Sequence, residues 1–399
     1  GFMVTNNNFI WSKNFVLLLL SNAMLWLAFE MLTPTLPLYV EGMGGSPAQI
    51  GLIIGILTIA AMVVRLFTGS LTNFLNKKHI LIISMLVCML ATGNYICSTG
   101  LILLFIFRVV HGLGFGAATV FYATVAAENL PPKRLGEGMG YFGIGESVCL
   151  SIGPVLGIAM LNMFDFKGLF MASAFISLLA ALLILALRSK PDQDKGQAKH
   201  QSRSISLKII EKKVLPQSVL MLINGIIFGG VITFIPIFAK QQGISNVAWF
   251  FFISAIVGVV VRIVCGKYYD LKGPVFVLVP TGLCLMFGML LIAFSPSLLV
   301  LNIAGVFYGI GQSSVFSALL AWTISMVETE NRESAMSSFL NSFDLGAGGG
   351  SFLLGFIVQA TSYQTMYILL AAMAAAYVLL TVYYAKRQKP LSTAGGVSE

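Results

Sequence analysis

Charge is scarce in this chain. Only 10% of its 399 residues are Asp, Glu, Lys or Arg, against roughly 25% in soluble globular chains. The five cysteines (Cys88, Cys97, Cys149, Cys265 and Cys284) stand singly and never as CxxC. That pattern argues against a disulfide framework or a thiolate metal site and predicts buried, reduced thiols. No G-x4-G-K-S/T stretch is present, so nothing points to ATP. No His/Cys/carboxylate cluster has metal-ligand spacing, and no nucleophile–base pair is evident. These absences speak against an enzyme, a metal centre or a cofactor.

What fills the chain instead is apolar sequence, 57% of all residues. Runs of about 20 apolar residues, broken by short polar turns, predict transmembrane helices. The reading is an all-α membrane protein of twelve spans, at 14–40, 47–73, 79–99, 101–127, 136–161, 166–188, 214–240, 246–268, 275–294, 298–326, 333–360 and 363–385. Runs this continuous satisfy their backbone as helices, not as a barrel. The 40 glycines would weaken soluble helices but let membrane helices approach closely.

One long polar stretch, "RSKPDQDKGQAKHQSRSISLKIIEKK" from Arg188 to Lys213, separates six spans from six. The predicted organisation is an N-terminal six-helix bundle (1–188), a cytoplasmic linker (189–213), a C-terminal six-helix bundle (214–386) and a cytoplasmic tail (387–399). Ile205–Lys213 reads as a short interfacial amphipathic helix.

The net charge of +9 would suggest nucleic acid in a soluble protein. Here the basic residues lie in the connections. With both termini cytoplasmic, 21 of the 24 Lys and Arg fall inside, Lys167 and Lys240 fall outside, and Arg108 lies within a span. This asymmetry predicts a multi-pass protein of the cell membrane with both ends in the cytoplasm. The expected partners are the lipid bilayer, a small-molecule substrate and protons, with no nucleic acid and a monomeric chain.

The two halves repeat. "RLFTGSLTN" (Arg65–Asn73) ends the second span and "RIVCGKYYD" (Arg262–Asp270) the eighth, 197 residues apart. "RVVHGLG" (Arg108–Gly114) in the fourth span and "GVFYGIG" (Gly305–Gly311) in the tenth are again 197 apart, and Pro37 and Pro236 are 199 apart. A duplicated six-helix unit predicts a cavity between pseudo-symmetric halves that rock to expose it alternately.

These stretches resemble the major facilitator superfamily over essentially the whole length, and within it the twelve-helix drug/proton antiporters. "GSLTNFLNKK" (Gly69–Lys78) is similar to that family's loop 2–3 motif G-x-L-x-D-x-x-G-R-K, with Asn73 for Asp and Asn76 for Gly. "RVVHGLGFGAA" matches the R-x-x-x-G-x-G pattern of its fourth helix. "GIGESVCLSIGPVLG" (Gly143–Gly157) carries the G-P-x-x-G of its fifth-helix antiporter motif, with Cys149 where a glycine is usual. "PTLPLY" (Pro34–Tyr39) resembles the end of its first helix. The resemblance implies a proton-coupled exporter of small organic, amphipathic compounds. A dedicated exporter of one metabolite, such as a metal-chelating compound or a sugar, remains an alternative. The fifth-helix motif argues against an importer. A non-transporting sensor or scaffold of the same fold is also open, though it need not retain costly buried charges.

An ion near the membrane centre costs roughly 2.5–3.5 kcal/mol on insertion scales. Four residues meet that description: Glu30, Arg108, Glu146 and Asp344. Arg108 lies roughly 10 Å and Glu30 roughly 14 Å from the outer ends of their spans. The expectation is that Glu30 takes and releases the proton while Arg108, when near, favours its ionised form; a static ion pair is the plainer reading. Glu146 and Asp344, 198 apart, are candidate symmetry mates for protons or a cationic substrate, or carboxylates bonded to Ser147 or Ser342. His111, one turn from Arg108, could relay protons or simply pack.

Trp26, Phe29, Tyr122, Phe234, Tyr308 and Trp322 are candidate cavity aromatics for such a substrate. Arg65, Gly69, Asn73, Lys77, Lys78, Arg262 and Asp270 form a candidate cytoplasmic gate. In the resembled family an acid at the Asn73 position caps a helix of the other half; Asn73 caps without charge, which predicts a weaker gate there. Gly145, Gly153, Pro154 and Gly157 form the antiporter motif. Pro154 is expected to bend the helix and the glycines to admit a neighbour from the other half.

Overall fold

A computed structural model describes residues 9–131, 135–188, 211–295, 297–328 and 331–388. Among them there is no strand. The helices are α1 Lys13–Glu30, α2 Leu36–Gly42, α3 Pro47–Arg65, α4 Thr68–Leu71, α5 Lys77–Asn94, α6 Leu101–Glu128 and α7 Leu135–Leu185. They continue with α8 Leu215–Gln241, α9 Ala248–Lys272, α10 Pro274–Ala293, α11 Leu298–Ser314, α12 Leu320–Ser325, α13 Arg332–Ala360 and α14 Tyr363–Arg387.

Eleven helical stretches among the described residues are long and apolar enough to cross a membrane. At about 1.5 Å per residue, the 51-residue α7 is roughly 76 Å long, more than twice a hydrocarbon core of about 30 Å. It holds two crossings that turn at Asp165, whose φ of 58° and ψ of −174° leave the helical region. Among the described residues this makes twelve helical segments long and apolar enough to cross.

The ends of these helices follow from local chemistry. Ser12, Asn76, Ser297 and Ser362 accept hydrogen bonds from Phe15, His79, Val300 and Thr365 backbone N–H groups, each satisfying an orphan donor of the first turn. The first span, read as continuous over 14–40, is broken between α1 and α2, where Pro34 and Pro37 remove donors. The second span, read as continuous to Asn73, stops at Arg65, whose carbonyl accepts from the Thr68 hydroxyl at 2.9 Å; such side-chain bonds compete with the helical ladder. Residues 189–210, most of the predicted linker and its interfacial helix, lie outside the described residues; Lys212–Val214 form a single 3-10 turn.

By packing, the chain forms two compact units: Gly1–Thr33 with Ile56–Leu207, and Pro34–Gly55 with Lys208–Glu399. The second therefore takes in α2 and the first half of α3, a stretch the sequence reading assigned to the N-terminal bundle. Within it, Gly55 faces the Gly348 carbonyl at 2.9 Å from its would-be Cβ, and Gly51 faces Ser351 even more closely. Glu41 of α2 pairs with Lys240 of α8 at 3.6 Å.

The repeat seen in sequence recurs as packing. In the first unit Gly112 closes on Leu57 of α3, and Gly114 on Ser84 of α5. In the second unit Gly309 closes on Ser254 of α9, and Gly311 on Leu285 and Thr281 of α10. Each would-be Cβ meets a backbone carbonyl at 2.6–3.0 Å, so any side chain there would push a helix away. Gly305 stands where the first unit has Arg108, and it closes on the Phe250 carbonyl at 3.0 Å.

Candidate transport site

The first unit buries polar side chains on α1 and α6 and on the short 3-10 turn Tyr95–Cys97 that follows α5. Glu30 is 2% exposed, Arg108 is fully buried and His111 is 2% exposed. Three of the four acid and base candidates of this half thus sit inside protein. The fourth, Glu146, is half-buried and accepts from Asn22 Nδ2 at 3.0 Å.

Two further contacts organise the cluster. The Tyr95 hydroxyl lies 2.8 Å from His111 Nδ1 and also hydrogen-bonds the Arg108 guanidinium. Arg108 Nη1 is 3.4 Å from the same Nδ1. A guanidinium only donates, so Arg108 supplies the protons of its contacts with this pair. Arg108 also stands over the Phe29 ring, 5.7 Å from its centroid, in cation–π range.

Cys149 of α7 lies in the same region. Its thiol donates to the Ala23 carbonyl at 3.1 Å, and it lies in the field of both Glu30 and Glu146. With both ionised, Glu30, Glu146 and Arg108 carry a formal charge of −1, which one proton neutralises.

The antiporter-motif residues hold α7 against this site. A Cβ on Gly153 would strike Glu30, and one on Gly157 would strike the Met31 carbonyl. The small residues therefore admit α1 of the same unit; the sequence reading had placed a helix of the other half there. Gly145 sits more loosely, 3.8 Å from Ala23. Pro154 lies inside α7 without ending it.

The aromatic candidates divide. Trp26 and Phe29 are half-buried and pack around Phe115, Phe29 stacking on it at 4.3 Å. Tyr122, Phe234 and Trp322 are at most 1% exposed, and Tyr308, 6% exposed, stacks on Phe250. Tyr122 is locked to Ser21 at 2.5 Å. Tyr122, Phe234 and Trp322 therefore pack the interiors of their units in this structure.

Several of the loop charges have partners inside the first unit. Arg65 donates to the Thr119 hydroxyl at 3.0 Å. Lys77 pairs with Glu128 at the end of α6. Lys78 donates to the carbonyls of Leu185 and Leu187 at 3.1 and 2.7 Å, capping the end of α7. Asn73 is exposed, and the cap of this loop is Asn76, which starts α5. For Gly69 only the helical backbone of α4 is described. In the second unit Arg262 and Asp344 are half-buried and Asp270 is exposed. Of the cysteines, Cys88 and Cys265 are buried as expected, Cys149 and Cys284 are partly so, and Cys97 is exposed.

Sequence reasoning missed Asn22, Tyr95 and Glu128. Asn22 was findable: it precedes Trp26 by four residues and Glu30 by eight, on one helical face. Tyr95 was not, because its role depends on a turn folding back toward α6.

The profile of the Major Facilitator Superfamily matches residues 18–307 and 273–398. The chain belongs to this superfamily, and it is a multi-span membrane transporter of small molecules, not an enzyme. It is 22% identical to an uncharacterised MFS-type transporter of Methanocaldococcus jannaschii, covering 89% of this chain and 94% of that one. It is also 22% identical to the staphylopine export protein of Staphylococcus aureus, over 95% of this chain and 98% of that one. Among solved structures, a bacterial homologue of the human lysosomal transporter Spinster superposes with a TM-score of 0.77 at 15% identity, over 95% and 98% of the two chains. The nucleoside transporter NupG gives 0.71 at 16% identity, over 94% and 100%. At such identities the structural likeness speaks for the fold alone.

Proposed function

We propose that this transporter is a proton-driven exporter of small, amphipathic organic compounds, working by alternating access in the cell membrane as a monomer with both termini in the cytoplasm. The observation that carries this reading is the burial of Glu30, Arg108 and His111 in the first unit, with half-buried Glu146 held there by Asn22. Buried ionisable groups in a membrane protein are costly and mark ion pathways. In the proposed cycle the proton enters from outside and binds a carboxylate of Glu30 or Glu146, the field on Arg108 changes, and deprotonation inside resets the site. Tyr95 and His111 then orient Arg108. The close seam of Gly153 and Gly157 on α1 keeps Glu30 in register with α7.

Export rather than uptake is supported by the antiporter motif and by the relative named for staphylopine export. That same relative favours a second reading, a dedicated exporter of one metabolite.

The test is reconstitution in vesicles with an internal pH dye and a panel of amphipathic compounds. Substrate-linked proton flux is expected, and Glu30→Gln abolishes it. Absence of flux with every compound, together with export from cells unchanged in Glu30→Gln, rejects proton coupling. Flux confined to staphylopine among the compounds tried selects the second reading.

A further inference from the structure

We infer that Tyr95 is a positioning residue of the proton site: its hydroxyl holds the Arg108 guanidinium in place for proton coupling. This deepens the proton-coupled reading and rests on it.

Tyr95 is fully buried in the 3-10 turn after α5. Its hydroxyl oxygen lies 2.8 Å from His111 Nδ1 and hydrogen-bonds the Arg108 guanidinium. A guanidinium has no acceptor, so toward Arg108 the Tyr95 oxygen accepts. Arg108 Nη1 is 3.4 Å from the same His111 Nδ1, and the three side chains close a triangle. The Tyr95 ring is itself fixed, edge-on to Phe170 with centroids 5.5 Å apart. A long arginine loses rotamer freedom with each such contact, and this one anchors it to a different element from its own helix.

The internal repeat supplies a control. Gly114 closes on Ser84 and Cys88, and Gly311 on Thr281 and Leu285, each partner 197 residues further along the chain. On that spacing Ile292 stands for Tyr95, Tyr308 for His111 and Gly305 for Arg108. The turn itself is shared. Ser98 N–H donates to the Tyr95 carbonyl and Ser295 N–H to the Ile292 carbonyl, each at 3.2 Å. Ile292 is buried as completely as Tyr95, and Tyr308 stacks on Phe250. The fold therefore forms this turn, buries it and packs the glycines beside it without a hydroxyl at that place. All three members of the triangle are replaced together in the second unit. They belong to the unit that also holds Glu30 and Glu146.

The reason to hold a guanidinium is electrostatic. Its effect on a carboxylate's proton affinity depends on distance, so a wandering charge gives an undefined one. Tyr95 acts through Arg108. Cys88 of α5 lies in the field of Tyr95. The titratable groups on the other helices of the unit's interior are Glu30 on α1 and Cys149 with half-buried Glu146 on α7.

The test uses the full-length protein in lipid nanodiscs with isotope-labelled arginine, read by NMR. Arg108→Lys identifies the Arg108 signals by their loss. Separate Nη1 and Nη2 signals are expected in the wild type, as for a guanidinium whose rotation is blocked. In Tyr95→Phe, which keeps the ring against Phe170, they are expected to merge, with the protein still folded by gel filtration. In vesicles the same variant is expected to lower substrate-linked proton flux about tenfold and to move its pH optimum by about one unit, with KM for the compound unchanged. If Tyr95→Phe fails to fold, Tyr95→Ile, which installs the second unit's residue, takes its place. Arg108 signals unchanged in the variant overturn the inference. So do merged signals with flux and pH optimum as in the wild type, which leave the hydroxyl a packing bond. If wild-type vesicles show no flux with any compound, the exporter reading falls, and the Nη signals alone decide whether Tyr95 holds Arg108.

Discussion

Asn22 donates its side-chain amide to the Glu146 carboxylate at 3.0 Å, joining α1 to α7 inside the first unit. The bond gives Glu146 a fixed position beside the group that includes Glu30 and Cys149. It also makes a direct prediction. Asn22→Leu removes the donor and leaves a half-buried carboxylate without it. Stability falls by about 1–3 kcal/mol, read as a lowered melting temperature in detergent, and Glu146→Gln added to it recovers most of that loss.

Glu146→Gln alone separates the two carboxylates. If the cluster works as one proton site, this change reduces substrate-linked proton flux at least as much as Glu30→Gln does. Flux and compound export are measured in the same vesicles. Export of neutral and cationic compounds falling together supports coupling; loss of cationic compounds alone identifies Glu146 as a substrate counter-charge instead.

Gly157→Ala tests the seam on α1. The added methyl meets the Met31 carbonyl, which is backbone and cannot rotate away. Overpacking of this kind costs about 1–3 kcal/mol. The matched control is Gly143→Ala, where nothing stands within 4 Å. That change is expected to raise stability by about 0.5–1 kcal/mol through helix propensity. Thermal melting of the two variants side by side decides it.

Lys78→Gln tests the cap of α7. The lysine serves the last carbonyls of that helix, where a cation contributes about 0.3–1 kcal/mol. Faster amide hydrogen exchange in residues 183–187 is expected, with exchange at the α1 end of the unit unchanged. Uniformly faster exchange would mean that the lysine holds the whole unit instead.

Much of this was legible beforehand. The twelve spans follow from apolar run length, because a bilayer demands about 20 residues per crossing. The paired glycines of "RVVHGLG" and "GVFYGIG" predicted equivalent packing, and Gly112 and Gly309, then Gly114 and Gly311, close on equivalent helices. Burial of Glu30, Arg108 and His111 could be guessed from the cost of charge in lipid.

Composition, span count, the repeat and the isolation of Arg108 in one half were determined by the sequence itself, because solvent and period act on each residue through its own chemistry and its near neighbours. The partners were decided only by tertiary structure. Asn22 meets Glu146 across 124 residues, and Gly157 faces α1 of its own unit rather than the other half. Tyr122, Phe234 and Trp322 turn inward as packing, although an aromatic on a membrane helix has three apolar surroundings open to it: lipid, neighbour or cavity. Which one it takes depends on how whole helices are rotated, and that is set by contacts between segments far apart in the chain.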